Sequence, residues 1–544
     1  PAGPPGVPPV SATHAARRRA ADAWLGLEAR AQAMAASRHA RTLAIFAVLV
    51  LVGLSAFLRT RAIGAGFWID EGIAVGIASY PLPEIPRVLL QDGAPPLYYL
   101  LLHVWIAAFG DGEAVTHALS AGFAVLTVPA AFWAGRSLFG ARAGWMAAII
   151  AAVHPFLTYY AQETRMYTLV ALLSLLACAT FAHAFVHRRR AYLLPFAASL
   201  TLLALSHNWG LFLGLGTLAA LVMVGRATAD RRALRRDAAL AYGVVALTYL
   251  PWVPSLVRQA LSTGAPWSER PDLAALSGGI VQALGGTAGA LAVVLVGGAG
   301  LWRLVDRDRA VTADQQRRRL VALTLITVTT ATLAGAWLSS QVSPGWAVRY
   351  MAVVVGPAML IVAVGLAHAR RLGLVALVLL AVGWFDPRVG AIEGKSNARQ
   401  VTTSVEYRPV GPGDLVVSTQ PERVSTLSYY LGDEYRYATS LGPVADPRVF
   451  DWRGAVARLK EARPTPTADP LVESLAPGRA LILVQPIVRT QSWDAPWTSV
   501  VRRRVAQWEE ILDEDPRLRR SEALPEFGFD PLPRGVRAVI YRKR

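Results

Sequence analysis

The chain has 544 residues, 54% of them hydrophobic and only 17% charged, with a formal net charge of +18. That balance excludes an ordinary soluble globular protein, and recurring apolar runs near 20 residues long point to a polytopic membrane protein. The basic residues gather in particular loops, which is how membrane topology is written, so they argue against nucleic acid as a partner.

In chain order, residues 1–41 are rich in Pro, Ala and Arg, with a basic run at Arg17–Arg19. They predict a disordered cytoplasmic tail or a short basic helix on the membrane surface. The first apolar run starts near Leu43, too deep for a cleavable signal peptide and long enough to span. Eleven spans are expected, at 42–59, 115–136, 142–157, 166–187, 191–206, 209–225, 238–256, 281–303, 320–340, 347–369 and 372–386. Arg136 and Arg142, Arg188–Arg190, the 226–236 stretch, the 303–319 stretch and Arg370–Arg371 fall in alternate loops. That alternation places the N-terminus in the cytoplasm.

"PPLYYLLLHVWIAAFG" (95–110) is short for a span. Counting it as one would put the Arg clusters outside, so it is read as a flat juxtamembrane helix. It belongs to a first outer loop over 60–114, within a membrane domain over 42–390. From 391 to 544 the pattern changes. "DLVVST", "ALILVQPI" and "RAVIYRKR" read as strands, and "PERVSTLSYYLG" and "DWRGAVARLKEA" as helices. The expectation is an extracytoplasmic α/β domain. Cys178 is the only cysteine, so no intrachain disulfide forms. Zinc-type spacing, a Walker loop and a GxGxxG opening a helix are all absent. The sequence assigns no cofactor and leaves a divalent metal open.

Ionisable groups at a membrane edge are costly to keep and so are functional candidates. The expected outer loops supply Asp70 and Glu71; Gln162, Glu163, Arg165 and Tyr167 of "YYAQETRMYTL"; His207 of "SHNWG"; Arg258 of "YLPWVPSLVRQ"; and Arg349 and Tyr350 of "SPGWAVRYM". A carboxylate suits a general base acting on a hydroxyl, guanidiniums suit phosphate, and a membrane-edge site suits a lipid-tailed substrate. Together they point to a hydroxyl attacking a lipid-phosphate-linked sugar. Each also has a structural reading. The acidic pair suits a helix cap, Glu163 and Arg165 a local ion pair, and His207 an interface histidine. Arg258 and Arg349 suit snorkelling to headgroups, and the aromatics a membrane belt.

The ordered set resembles the GT-C glycosyltransferases, in particular the bacterial branch close to protein O-mannosyltransferases and the lipid A aminoarabinose transferase. It is carried over about 42–390 by "DEG", "GAPPLYYLLLHVW", "FGARAGWMAAIIAAVHPFLTYYAQETRMYTL", "SHNWGLFL", "YLPWVPSLVRQ" and "RYMAVVVGPAM". The resemblance implies an inverting membrane transferase of the plasma or inner membrane with an extracytoplasmic active site. The donor would be a polyprenyl-phosphate sugar, mannose first, with arabinofuranose or another sugar as the alternative. The acceptor would be a hydroxyl on a glycan, glycolipid or protein. It further implies Asp70 as the catalytic residue, Glu71 positioning substrate, and the outer arginines on the donor phosphate. Relatives often carry His before "PPLYY", where this chain has Ala94; that role is absent here or is filled elsewhere, with His207 the candidate. The rival from another class is a lipid or sugar transporter, but its polar groups would sit near the midplane, on broken helices in repeats.

Overall fold

The computed structural model describes residues 38–306, 312–385, 392–488, 494–525 and 535–544. The basic tail expected over 1–41 falls almost wholly outside them. Among the described residues, eight helical segments are long and apolar enough to cross a membrane: Arg41–Thr60, Glu113–Phe139, Tyr167–Val186, Gly210–Ala227, Arg231–Ser262, Thr287–Val305, Ala313–Val342 and Val348–His368. The chain is a multi-pass membrane protein. The other three expected spans are the shorter helices Ala141–Val153, Leu193–Ser206 and Arg370–Gly383. At 1.5 Å per residue each is about 20 Å long, short of a hydrocarbon core of about 30 Å.

Tyr167–Val186 and Val348–His368 are apolar all round and almost wholly buried, so they form the centre of the bundle. Arg41–Thr60 and Arg231–Ser262 lie outside and turn Leu43, Phe46, Leu247 and Leu261 outward, a surface suited to lipid. Arg59 is fully buried and donates to Ser55 Oγ and to the carbonyls of Ala124 and Ala151, tying three helices together.

Between the first two spans lie three short helices, Ile69–Ala78, Ile85–Asp92 and Leu97–Phe109. Gly93, at φ 92°, ends the second in the left-handed region that glycine tolerates. Leu97–Phe109 has 13 residues, too few to cross a bilayer.

The C-terminal part holds a six-stranded mixed sheet of β1 (Leu415–Ser418), β2 (Arg436–Thr439), β3 (Gly442–Val444), β4 (Ala480–Pro486), β5 (Leu518–Leu524) and β6 (Val536–Lys543), in the order β3-β2-β1-β4-β6-β5. β1 is parallel to β2 and β4, and the remaining pairings are antiparallel. Alternate residues of the central strands enter separate cores. Val416, Ile482 and Ile540 pack on one face with the Ala398–Glu406 and Val424–Leu431 helices. Leu415, Leu483 and Tyr541 pack on the other with Pro464–Glu473 and Pro496–Glu514. Both faces are therefore covered, as an α/β layering requires.

This domain docks on the first-loop helix Ile69–Ala78 through two glycines one turn apart. A Cβ at Gly72 would lie 2.3 Å from Thr426 Oγ1, and one at Gly76 would lie 2.0 Å from the Arg448 carbonyl oxygen. Only glycine lets the two backbones come so close. Tyr430 OH accepts from Phe67 N–H at 2.7 Å, and Trp452 N–H donates to the Gln91 carbonyl at 2.9 Å. The sheet domain thus fixes the helix that carries the acidic pair.

Candidate active site

A cavity of about 510 Å³ lies where the first-loop helices, several span ends and the sheet domain meet. Asp70, Arg165, His207, Arg349 and Tyr350 line it, drawn from four of the loops singled out in the sequence. Asp70 Oδ2 is 3.7 Å from Arg349 Nη2, and both side chains are about one-fifth exposed. The Arg349 guanidinium also lies 5.6 Å from the Trp68 ring centre and 5.4 Å from that of Tyr350, within cation–π range. Arg165 Nη1 donates to the Asp70 carbonyl at 3.2 Å and to Tyr99 OH at 3.3 Å. The Nε atoms of both arginines are buried without a partner among the described residues.

His207 accepts from Trp209 N–H through Nδ1 at 3.1 Å. Burial, with help from Arg165 and Arg349, pushes its pKa down to about 3. It is therefore neutral, and its Nε2–H is left as a donor.

The adjacent carboxylates separate. Glu71 is fully buried and does not line the cavity. Its Oε1 accepts from His117 Nε2 at 2.6 Å, Thr164 N–H at 2.8 Å and Lys395 Nζ at 2.9 Å; Oε2 accepts from Trp68 N–H at 3.1 Å and lies 2.8 Å from Lys395 Nζ. The expected substrate contact is corrected to a structural one, because protein donors occupy both oxygens. Capping also belongs to Glu71, which takes the Trp68 N–H at the start of the helix, and not to Asp70.

Four further candidates are corrected. Gln162 is buried, with Nε2 on the Thr158 carbonyl and Oε1 on Ala62 N–H, so it closes a turn. Glu163 and Tyr167 are buried behind the cavity wall. The Arg165 side chain turns to the Asp70 carbonyl and to Tyr99 OH. Arg258 points outward, and Gln259 lines the cavity in its place, donating to the carbonyls of Leu89 and Ala94. One residue on a helix is a rotation of about 100°.

The sequence reading missed Asp92, Asn208 and Gln259 on the wall, and Lys395 and His117 behind it. Asn208 and Gln259 stand inside stretches already singled out, and Asp92 precedes "GAPPLYY" by one residue. Burial pushes the Asp92 carboxyl up and Arg165 opposes this. Lys395 carried one signal: it is one of only three lysines among 55 basic residues. Among the described residues, no group of three or more His, Cys, Asp and Glu side chains is placed to hold a metal ion.

No family model matches the sequence, and no curated protein is detectably similar to it. Solved structures are similar in fold. ArnT from Cupriavidus metallidurans bound to undecaprenyl phosphate superposes with TM-score 0.54 at 15% identity, covering 83% of this chain and 94% of that one. Archaeal oligosaccharyltransferase AglB from Archaeoglobus fulgidus, in complex with an inhibitory peptide and a dolichol-phosphate, gives TM-score 0.51 at 14% identity over 82% of this chain and 70% of that one. Arabinofuranosyltransferase AftD from Mycobacteria gives 0.52 at 16% identity over 93% of this chain but 40% of that one. The fold is the GT-C fold expected from the sequence.

Proposed function

We propose that the protein is an inverting membrane glycosyltransferase that moves a sugar from a polyprenyl-phosphate donor to an acceptor hydroxyl. The observation that carries this is the sharing of one membrane-edge cavity by the Asp70 carboxylate and the guanidiniums of Arg165 and Arg349. Asp70 takes the proton of the attacking hydroxyl. The arginines meet the phosphate, whose negative charge grows as it leaves. Support comes from the fold shared with an undecaprenyl-phosphate complex of ArnT and a dolichol-phosphate complex of AglB. Inversion puts base and leaving group on opposite faces of the sugar. The 3.7 Å between Asp70 and Arg349 is too little for a reacting carbon with a partner about 3 Å away on each side. Donor binding therefore parts this pair.

The test is release of polyprenyl phosphate by purified protein given labelled donor, mannose first and arabinofuranose second. A transporter would release none. Arg349→Ala should lower turnover about 10²-fold and Arg349→Lys less, since a lysine keeps the charge but not the planar fork. Wild-type turnover in Arg349→Ala would remove it from the site.

The same reading places the cavity and the sheet domain outside the cytoplasm, from the alternation of Arg-rich loops. A cysteine at exposed Glu434, in a Cys178→Ala background, should react with an impermeant reagent added to intact cells. Reaction only after lysis would invert the topology.

A further inference from the structure

Beyond the membrane part, the cavity has a second wall built by the sheet domain. Gln420, Glu422, Trp452 and Thr498 all line it. Trp452 is 6% exposed and held on several sides: its ring meets Trp267 at 4.6 Å and Trp497 at 5.2 Å, and its N–H is fixed on the Gln91 carbonyl next to Asp92. Trp267 also lines the cavity, and its indole N–H has no partner among the described residues.

Glu422 is 4% exposed. Its Oε1 accepts from Trp497 Nε1–H at 3.0 Å and Gln420 Nε2 at 2.8 Å, while Oε2 has no partner among the described residues. A buried carboxyl oxygen left unpaired is costly unless a ligand completes it. Burial pushes this carboxyl up, and the bonds from Trp497 and Gln420 and the charge of Arg423 oppose this. Gln420 is itself held, its Oε1 accepting from Arg423 Nε and Nη2 at 3.1 and 3.0 Å. Among the described residues, the cations that line the cavity are Arg165 and Arg349, on the membrane side. An anionic group at the sheet-domain wall would face Glu422, while Arg423, engaged by Gln420, does not line the cavity.

We propose that this wall is the acceptor subsite, and that it takes a neutral, hydroxyl-rich glycan against Trp452 and Trp267 with a hydroxyl bonded to Glu422. Rigid aromatic faces with a few fixed polar groups suit such a ligand. The subsite rests on the transferase reading for its place in a reaction. The close approach of Gly72 to Thr426 keeps the wall in register with Asp70, so a hydroxyl of the bound glycan can be presented to the base.

The experiment measures quenching of tryptophan fluorescence in the full chain by mannotriose, by mannose 6-phosphate and by a Ser/Thr-containing peptide. Mannotriose should bind, and Glu422→Gln should weaken it about tenfold, the cost of one hydrogen bond to a charged or polarised group. Trp452→Phe, a conservative change, should weaken it also. In transfer assays the Glu422→Gln effect should fall on the acceptor KM, not the donor KM. Preference for the phosphorylated sugar or the peptide, equal affinity of wild type and Glu422→Gln for mannotriose, or no mannotriose binding would each overturn the subsite. Binding of mannotriose without any release of polyprenyl phosphate would sustain the subsite and remove the transferase reading instead.

Discussion

Replacing Asp70 by Asn is expected to slow sugar transfer by about 10² to 10⁴ while the protein folds and binds donor normally. The acceptor is a hydroxyl, a weak nucleophile while it keeps its proton. Asp70 opens onto the cavity beside both guanidiniums, whereas its neighbour Glu71 is enclosed by protein donors. Asn keeps the size and much of the hydrogen bonding of Asp but cannot take the proton. The helix start is not at issue, because the Trp68 N–H is capped by Glu71. A second possibility is that Asp70 serves only as a counter-charge for Arg349, 3.7 Å away. Its removal would then free Arg349 for phosphate, and donor affinity would rise with little loss of rate. Single-turnover measurements with saturating donor separate the two. A rate within about threefold of wild type would assign Asp70 to charge balance and end its role as base.

The membrane part was legible because a span announces itself by length and apolarity alone. The sheet domain was legible where a strand is a buried apolar run, as in β1, β4 and β6. β3 has three residues and contains Pro443, and β5 reads "LRRSEAL" along a sheet edge with three exposed positions in its middle. Short or edge strands carry little apolar signal.

At the site, the loops were legible and the facing residue within each was not. Asp70 and Glu71 are neighbours with opposite fates, and Gln259 faces the cavity where Arg258 does not. Charge marked the position in each case, but the rotation of a short helix chose the residue. Contacts from far along the chain were invisible for a plainer reason. Lys395 lies 324 residues from Glu71, and no local pattern encodes such a pairing.

The largest expected loss of stability follows from that pairing. Lys395→Met should destabilise the fold by about 3 kcal/mol, because it leaves a buried carboxylate without its lysine partner. Lys395 is 1% exposed and Glu71 not at all, and His117, also buried, is Glu71's other side-chain partner. Burial alone would raise the Glu71 pKa, but Lys395 and then His117 outweigh it and hold it down at about 2, against an ordinary 4.5. In the wild type this ionised network therefore contributes stability above about pH 4.5 and loses it as the pH falls toward 2. Without Lys395 burial gains ground and the folded-state pKa rises. The variant's deficit should then be greatest near neutrality and shrink as acid protonates Glu71. Adding Glu71→Gln to Lys395→Met should recover part of the loss, since the uncompensated charge is gone. Thermal unfolding of the wild type, Lys395→Met, Glu71→Gln and the double variant in detergent, at several pH values, measures both effects. A Lys395→Met midpoint equal to wild type, or a deficit that grows toward acid, would show that the ion pair does not hold Asp70's helix in place.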